Sequence, residues 1–179
     1  MRTHIHVVGA SGSGTTTIGA RVASQLGFEH LDTDDYFWVD TPEPFTVTRP
    51  LADRLRLLGG ALAAGEAWVL SGSITGWGES LASRFDLVIR LEAPDSLRLT
   101  RLRDREYARY GDRALPGGDH FEDTEDFLTW AAAYESGTRE GRSRPVHEAW
   151  LDTLTCPVVR IVNLDLDESV AGVVRAIGS

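Results

Sequence analysis

The sequence predicts an α/β protein in which a parallel sheet is covered by helices on both faces. Three observations predict it. Short apolar runs alternate with helix-period segments from one end of the chain to the other. A glycine-rich stretch at residues 9–17, GASGSGTTT, separates the first strand from the first helix. Polar or glycine-rich residues also follow the second and third strands, at the C-terminal strand ends where ligands bind in such sheets.

Each element has its own signal. THIHVVGA alternates and then turns apolar, which predicts a first strand ending near Val8. Thr15 to Leu26 reads as a helix with Ile18, Val22 and Leu26 on one face and Gly27 just past its end. Phe28 to Leu31 is a short second strand, followed by Asp32, Thr33, Asp34 and Asp35. Residues 36–50 carry aromatics and three prolines and predict an irregular segment. Pro50 opens a helix with Leu51, Leu55, Leu58 and Leu62 on one side. Trp68 to Leu70 starts a third strand, which runs into SGSITGWG at residues 71–78. Leu87 to Leu91 is a fourth strand, and an arginine-rich helix spans about 94–110. Residues 111–120 read as a loop, 123–135 and 144–154 as helices, Val158 to Val162 as a fifth strand, and 167–177 as a closing helix.

No internal repeat, low-complexity tract or linker divides the chain, so residues 1–179 are expected to form one domain. The net charge of −9 argues against nucleic-acid binding. No apolar run approaches the ~18 residues of a membrane span. The N-terminus has no signal-peptide pattern, and the single cysteine, Cys156, excludes an internal disulfide and reads as a buried thiol. These features predict a cytoplasmic protein without nucleic-acid or membrane partners. All 18 positive side chains are arginine. The absence of lysine excludes Schiff-base and Ser–Lys chemistry.

Residues 9–17 match the phosphate-cradling pattern G-x-x-x-x-G-K-[S/T] at Gly9, Gly14 and Thr16, but Thr15 stands where lysine belongs. Glycines let the backbone aim successive N–H groups at one point, and the following helix adds its positive dipole end. The backbone of Ser11, Gly12, Ser13, Gly14, Thr15 and Thr17 is therefore expected to hold phosphate, with the Thr16 hydroxyl directed to magnesium. A competing reading is a dinucleotide site, with Gly9, Gly12 and Gly14 in G-x-x-G-x-G and Asp32 placed 23 residues after Gly9. G-x-G-x-x-G itself is absent, and a reductase Tyr-x-x-x-Lys pair is impossible in this chain. A purely structural turn is the third alternative.

With these motifs in place, the sequence resembles P-loop small-molecule kinases of the adenylate kinase and shikimate kinase group, including bacterial proteins described as adenylate kinase-like or topology-modulation-like. The resemblance covers nearly the whole chain. It rests on the loop at residues 9–16, the D-T-D of Asp32–Asp34, the SGS after the third strand and an Arg-x-x-x-Arg pair, Arg101 and Arg105. It implies a three-layer P-loop NTPase fold with a five-stranded parallel sheet in order 2-3-1-4-5. It also implies a substrate-binding segment at 36–64 and a helical lid at about 101–144. ATP would be the co-substrate with Mg²⁺. Asp32 would help hold magnesium through water and Asp34 would contact the acceptor hydroxyl. Arg101 and Arg105 would contact the nucleotide phosphates. Ser71, Gly72 and Ser73 would match a substrate-contacting loop, although the triple glycine of shikimate kinases is absent. The Asp cluster can also be read as a solvated turn.

Arg98, Arg101, Arg105 and Arg109 recur at three- and four-residue spacing and share a helix face. Arg139, Arg142 and Arg144 form a second group where a lid would return to the core. Guanidinium groups grip phosphate oxygens in bidentate fashion, so these groups are candidates to replace the missing lysine. The alternative is a solvated face paired with Asp104, Glu106 and neighbours. Arg49 is a candidate for an acidic substrate group or a surface residue. Tyr36, Phe37, Trp38 and Trp77 border the same proposed cleft and can stack on a ring or pack in the core. Trp68, Trp130 and Trp150 read as core. His120 and His147 are candidates for a catalytic role or single histidines in polar stretches, and they lack metal-ligand spacing.

The expected activity is ATP- and Mg²⁺-dependent transfer of phosphate to a small molecule, with arginines in place of the lysine. Two alternatives stand beside it: a nucleoside monophosphate kinase, and a nucleotide-binding regulator without turnover.

Overall fold

The computed structural model describes residues 1–178. In chain order it contains β1 (His4–Gly9), α1 (Thr15–Leu26), β2 (Glu29–Asp32), α2 (Thr33–Phe37), α3 (Leu51–Ala64), β3 (Trp68–Ser71), β4 (Leu87–Glu92), α4 (Asp95–Tyr110), α5 (Phe121–Ala132), α6 (Arg144–Leu151), β5 (Val158–Val162) and α7 (Leu166–Gly178). The five strands are parallel, in order β2-β3-β1-β4-β5. No helix among the described residues is long and apolar enough to cross a membrane.

Strand alternation builds the three layers. Ile5, Val7, Val69, Leu87, Ile89 and Leu91 pack under Ile18 and Val22 of α1 and Val170, Val173 and Ile177 of α7. Val8, Leu70 and Val88 point the other way, onto Leu58 and Leu62 of α3 and Trp150 and Leu151 of α6. A parallel sheet needs apolar residues on both faces because its crossover helices cover both. Each fully buried Leu, Ile or Val contributes about 1.5–3 kcal/mol relative to exposure. β1 lies at the centre. The chain leaves it first toward β2 and β3, then returns on its other side as β4, so a crevice opens beyond its C-terminal end.

The boundaries have local causes. α1 ends where Gly27 turns left-handed and returns its N–H to Ala23 O. Ser143 caps α6 by accepting from Val146 N, with Pro145 in the first turn. Residues 33–37 form α2 where the sequence reads as turn and irregular segment, because the Asp32 side chain accepts from Asp34 N and nucleates a single helical turn. The rest of 36–50 is drawn together by one antiparallel bridge between Trp38 and Thr48. Short 3₁₀ turns at Glu79–Arg84 and Gly111–Ala114 lie in stretches with no helical period. Cys156 is half-buried at the edge of the α3/α6 layer, not enclosed in it.

Candidate functional site

The loop between β1 and α1 is held from behind. Arg98 Nη1 donates to Ser11 O at 2.8 Å, Arg101 Nη1 reaches Gly12 O at 3.5 Å, and Asn163 Nδ2 donates to Ser13 O at 2.8 Å. Three successive carbonyls are thus tied to α4 and to the residue after β5. Gly12 and Gly14 adopt φ of 81° and 95°, and a Cβ on either would stand 2.6 Å from Arg98 O or Asn163 Nδ2. Only glycine fits both the conformation and the space. α1 starts at Gly14 with no side-chain cap, so the N–H groups of its first turn have no side-chain partner there. The loop and α1 open onto a cleft of about 1190 Å³, lined by Gly12, Gly14, Thr15, Thr16 and Thr17 on one side and by Arg101, Arg105 and Arg109 on the other.

Thr16 Oγ1 donates to Asp32 Oδ2 at 2.7 Å, while Asp32 Oδ1 accepts from Asp34 N at 3.0 Å. The donor set fits magnesium. One hydroxyl and one carboxylate oxygen lie side by side at the cleft mouth, and Mg²⁺ is commonly bound through one or two protein oxygens with water and phosphate completing its shell. No cluster of three or more His, Cys, Asp or Glu side chains able to cage a metal occurs among the described residues.

Asp34 is placed by the short α2. It lines the main cleft, a neighbouring cavity of about 500 Å³ that includes Gly9, Ser11 and Gly72, and a side pocket of about 350 Å³. Its surface is open to water through these spaces, but their walls crowd the carboxylate. That crowding, with the neighbouring Asp32 charge, pushes the Asp34 carboxyl above the usual range. Arg142, Arg105 and a hydrogen bond from Trp38 oppose the shift. Arg142, half-buried, lies over Trp130 at 5.3 Å. Burial draws its guanidinium below the ordinary value, but Asp34 counters this, and arginine stays charged throughout. Arg105 and Arg109 both donate to Glu106 Oε1, and Arg109 stacks 4.5 Å over Phe45, so α4 meets the 36–50 segment across the cleft.

The side pocket has aromatic walls, Phe37, Trp38, Trp77 and Trp130, with Ser73, Thr75, Arg54 and Arg142. Trp130, read from sequence as core, is half-buried and forms part of this wall. Trp77 is both things at once: 9% exposed in the core layer, and facing the pocket.

Other expected site residues are placed differently. Ser71 is fully buried, donates to Thr15 O at 3.1 Å and lies 2.9 Å from His30 Nε2, so it braces the loop from beneath and lines none of the three cavities. The Ser13 side chain is buried under the loop and its hydroxyl has no partner. Arg139 is exposed and lines none of the three cavities. Arg144 is taken up by Glu135 and Glu92. Arg49 borders the cleft, but its guanidinium donates to Tyr36 O and Trp38 O, fastening the segment. Arg98 is 1% exposed and serves the loop backbone and Asp95. Sequence reasoning did not single out Thr75, Arg54 or Tyr134, which carry no motif.

No family model matches the chain. The chain is 47% identical over 161 residues to the uncharacterized protein YqaC of Bacillus subtilis (strain 168), covering 90% of this chain and 89% of that protein. Its structure is similar to that of a shikimate kinase from Bacteroides thetaiotaomicron, with a TM-score of 0.60 and 16% identity over 100% of both chains. It is similar also to a gluconokinase from Sinorhizobium meliloti 1021, with a TM-score of 0.52 and 16% identity over 98% of this chain and 91% of that one. At these identities the likeness establishes a shared fold, that of the P-loop kinases.

Proposed function

The chain belongs to the same family as YqaC and has the P-loop kinase fold; from that premise we propose that it is an ATP- and Mg²⁺-dependent phosphotransferase acting on a small hydroxylated molecule. One observation carries the reading: Asp34 stands at the junction of the loop-lined cleft and the aromatic side pocket, with Arg105 and Arg142 facing it. In phosphoryl transfer the protein positions an acceptor hydroxyl in line with the γ-phosphate and neutralises spreading charge.

The ATP phosphates lie over residues 9–17, held by backbone N–H groups and the start of α1. Thr16 and Asp32 hold magnesium, which when bound neutralises phosphate charge. Asp34 orients the acceptor hydroxyl and receives its proton. Of the arginines that line the cleft, Arg101 reaches the loop, and Arg105 and Arg142 flank the space between the donor and acceptor sides. Together they supply the charge that Thr15 lacks. Residues 36–64 form the acceptor side, and about 101–144 close over the cleft. The aromatic side pocket favours a small acceptor over a nucleoside monophosphate. The charge of −9 supports a small-molecule enzyme without a nucleic-acid partner.

The test is ADP release from ATP, with and without Mg²⁺, across shikimate, gluconate, other polyols and hydroxy acids, and nucleoside monophosphates. Metal-dependent ADP release with a small hydroxylated acceptor is expected. Tight nucleotide binding with transfer to none of them would favour a regulator without turnover, the reading that Thr15 supports.

A further inference from the structure

A buried polar chain runs beneath the side pocket. Arg90, 1% exposed, donates from Nη2 to the Tyr134 hydroxyl at 2.7 Å. The Tyr134 hydroxyl lies 2.8 Å from His147 Nδ1, and His147 Nε2 lies 2.9 Å from Ser73 Oγ. Ser73 Oγ in turn bonds the Thr75 hydroxyl, and Thr75 lines the pocket. His147 is fully buried and Ser73, Thr75 and Tyr134 nearly so.

The direction of every bond in this chain is determined. Arginine has donors only, so Tyr134 must accept from Arg90 and its own proton goes to His147 Nδ1. His147 then carries its proton on Nε2 and gives that bond to Ser73. Ser73 also accepts from Thr75 N at 3.3 Å, so its single hydroxyl proton goes to Thr75 Oγ1. The Thr75 hydroxyl accepts from Ser73 within the chain, which leaves its single proton, and one lone pair, for the pocket. The reverse direction would leave Tyr134 with two donors pointed at its oxygen and no acceptor for its own proton. A buried unmatched donor costs about 1–3 kcal/mol. Burial and the charges of Arg90 and Arg142 hold His147 neutral, with its pKa lowered to about 3, as the chain requires.

We propose that Arg90, Tyr134, His147 and Ser73 form a one-way hydrogen-bond relay that frees the Thr75 proton for donation into the side pocket, making Thr75 a specificity-determining residue for an oxygen acceptor on the substrate. Arg54 and Arg142 line the same pocket and only donate, and Asp34 is the single carboxylate in the lining. A carboxylate-bearing molecule satisfies all three proton donors, whereas an ammonium in the same place meets two guanidinium cations. This deepens the phosphotransferase reading by naming the substrate class, and it rests on that reading for the pocket's role. Tyr134, His147 and Ser73 are positioning residues.

The test uses the full chain without nucleotide, so a failure of phosphoryl transfer leaves it unaffected. ¹⁵N NMR reads the His147 tautomer directly: protonated Nε2 and bare Nδ1 are expected, and the opposite tautomer overturns the relay. Benzoate, benzamide and benzylammonium are then titrated while the Trp77 indole N–H and Thr75 amide are followed. Benzoate is expected to bind best, with Thr75→Val weakening it about 10- to 100-fold and Thr75→Ser restoring it. Tyr134→Phe is expected to mix the His147 tautomers and erase most of the preference. If it fails to fold, His147→Gln provides the same comparison. No response to any fragment, no oxyanion preference, or a preference unchanged in Thr75→Val overturns the proposal.

Discussion

Thr16 Oγ1 donates to Asp32 Oδ2 at 2.7 Å, joining the first turn of α1 to the end of β2 at the mouth of the cleft. The two oxygens belong to segments that are separate in the sequence, and the register of β2 beside β3 brings them together. Thr16→Ala or Asp32→Asn is therefore expected to raise the magnesium requirement at least about tenfold while nucleotide still binds. Magnesium titration of ADP formation measures this.

Asp34→Asn removes the group that faces the acceptor without changing its shape. Transfer is expected to fall about 100-fold or more, with ATP affinity nearly unchanged. The Asp34 carboxyl lies above the usual range, so in the unsubstituted protein activity is lost as pH falls through a point above the ordinary carboxylate value. A profile of kcat/KM against pH locates that limb.

Arg142→Ala and Arg105→Ala are each expected to lower kcat more than they weaken nucleotide binding. An arginine at a phosphoryl-transfer site is worth roughly 10³–10⁵ in rate; with the charge shared here, the loss from each is expected below that ceiling. Arg139→Ala, at an exposed position outside all three cavities, is expected to leave kcat within about twofold. Steady-state kinetics beside equilibrium ATP binding separate the two effects.

His6 and His147 are fully buried and neutral, with pKa values lowered to about 4 and about 3, mainly by burial. Their folded pKa values lie below the unfolded value, so the unfolded chain binds more protons between them. Stability is complete above about pH 6.5 and falls as pH drops toward 4 and then 3, by on the order of 3 to 5 kcal/mol per histidine. Asp34, shifted up, acts in the opposite sense. Urea unfolding at pH 7.5, 6, 5 and 4 is expected to show the decline, and a flat profile between 6.5 and 5 would refute it.

Much of the architecture is legible in the sequence because a parallel sheet writes its pattern locally. The apolar runs at 68–70 and 87–91 and the glycine turn at 9–14 each announce themselves within a few residues. The Asp32–Asp34 stretch is legible as chemistry but not as structure. The four polar residues 32–35 suit a turn, and only the geometry of the Asp32 carboxylate against Asp34 N makes them a helix start. Arginines are the least readable. Arg98, Arg101, Arg105 and Arg109 share one face by spacing, yet Arg98 holds a loop carbonyl while Arg105 and Arg109 border open space. Spacing gives a face; which neighbour meets it depends on the fold. The relay from Arg90 to Thr75 spans four separate segments, and no local pattern marks it.

Every permanently charged cation lining the cleft and its side pocket is a guanidinium. Reagents and enzymes that acylate or alkylate amines find no target there, and acetylation cannot silence the site. The cleft's positive charge also does not titrate away in mild alkali, as an amine's would. Switching such a site through its charge would require arginine-directed chemistry or a competing anion, so control by a bound acidic metabolite is better matched to it than control by lysine modification.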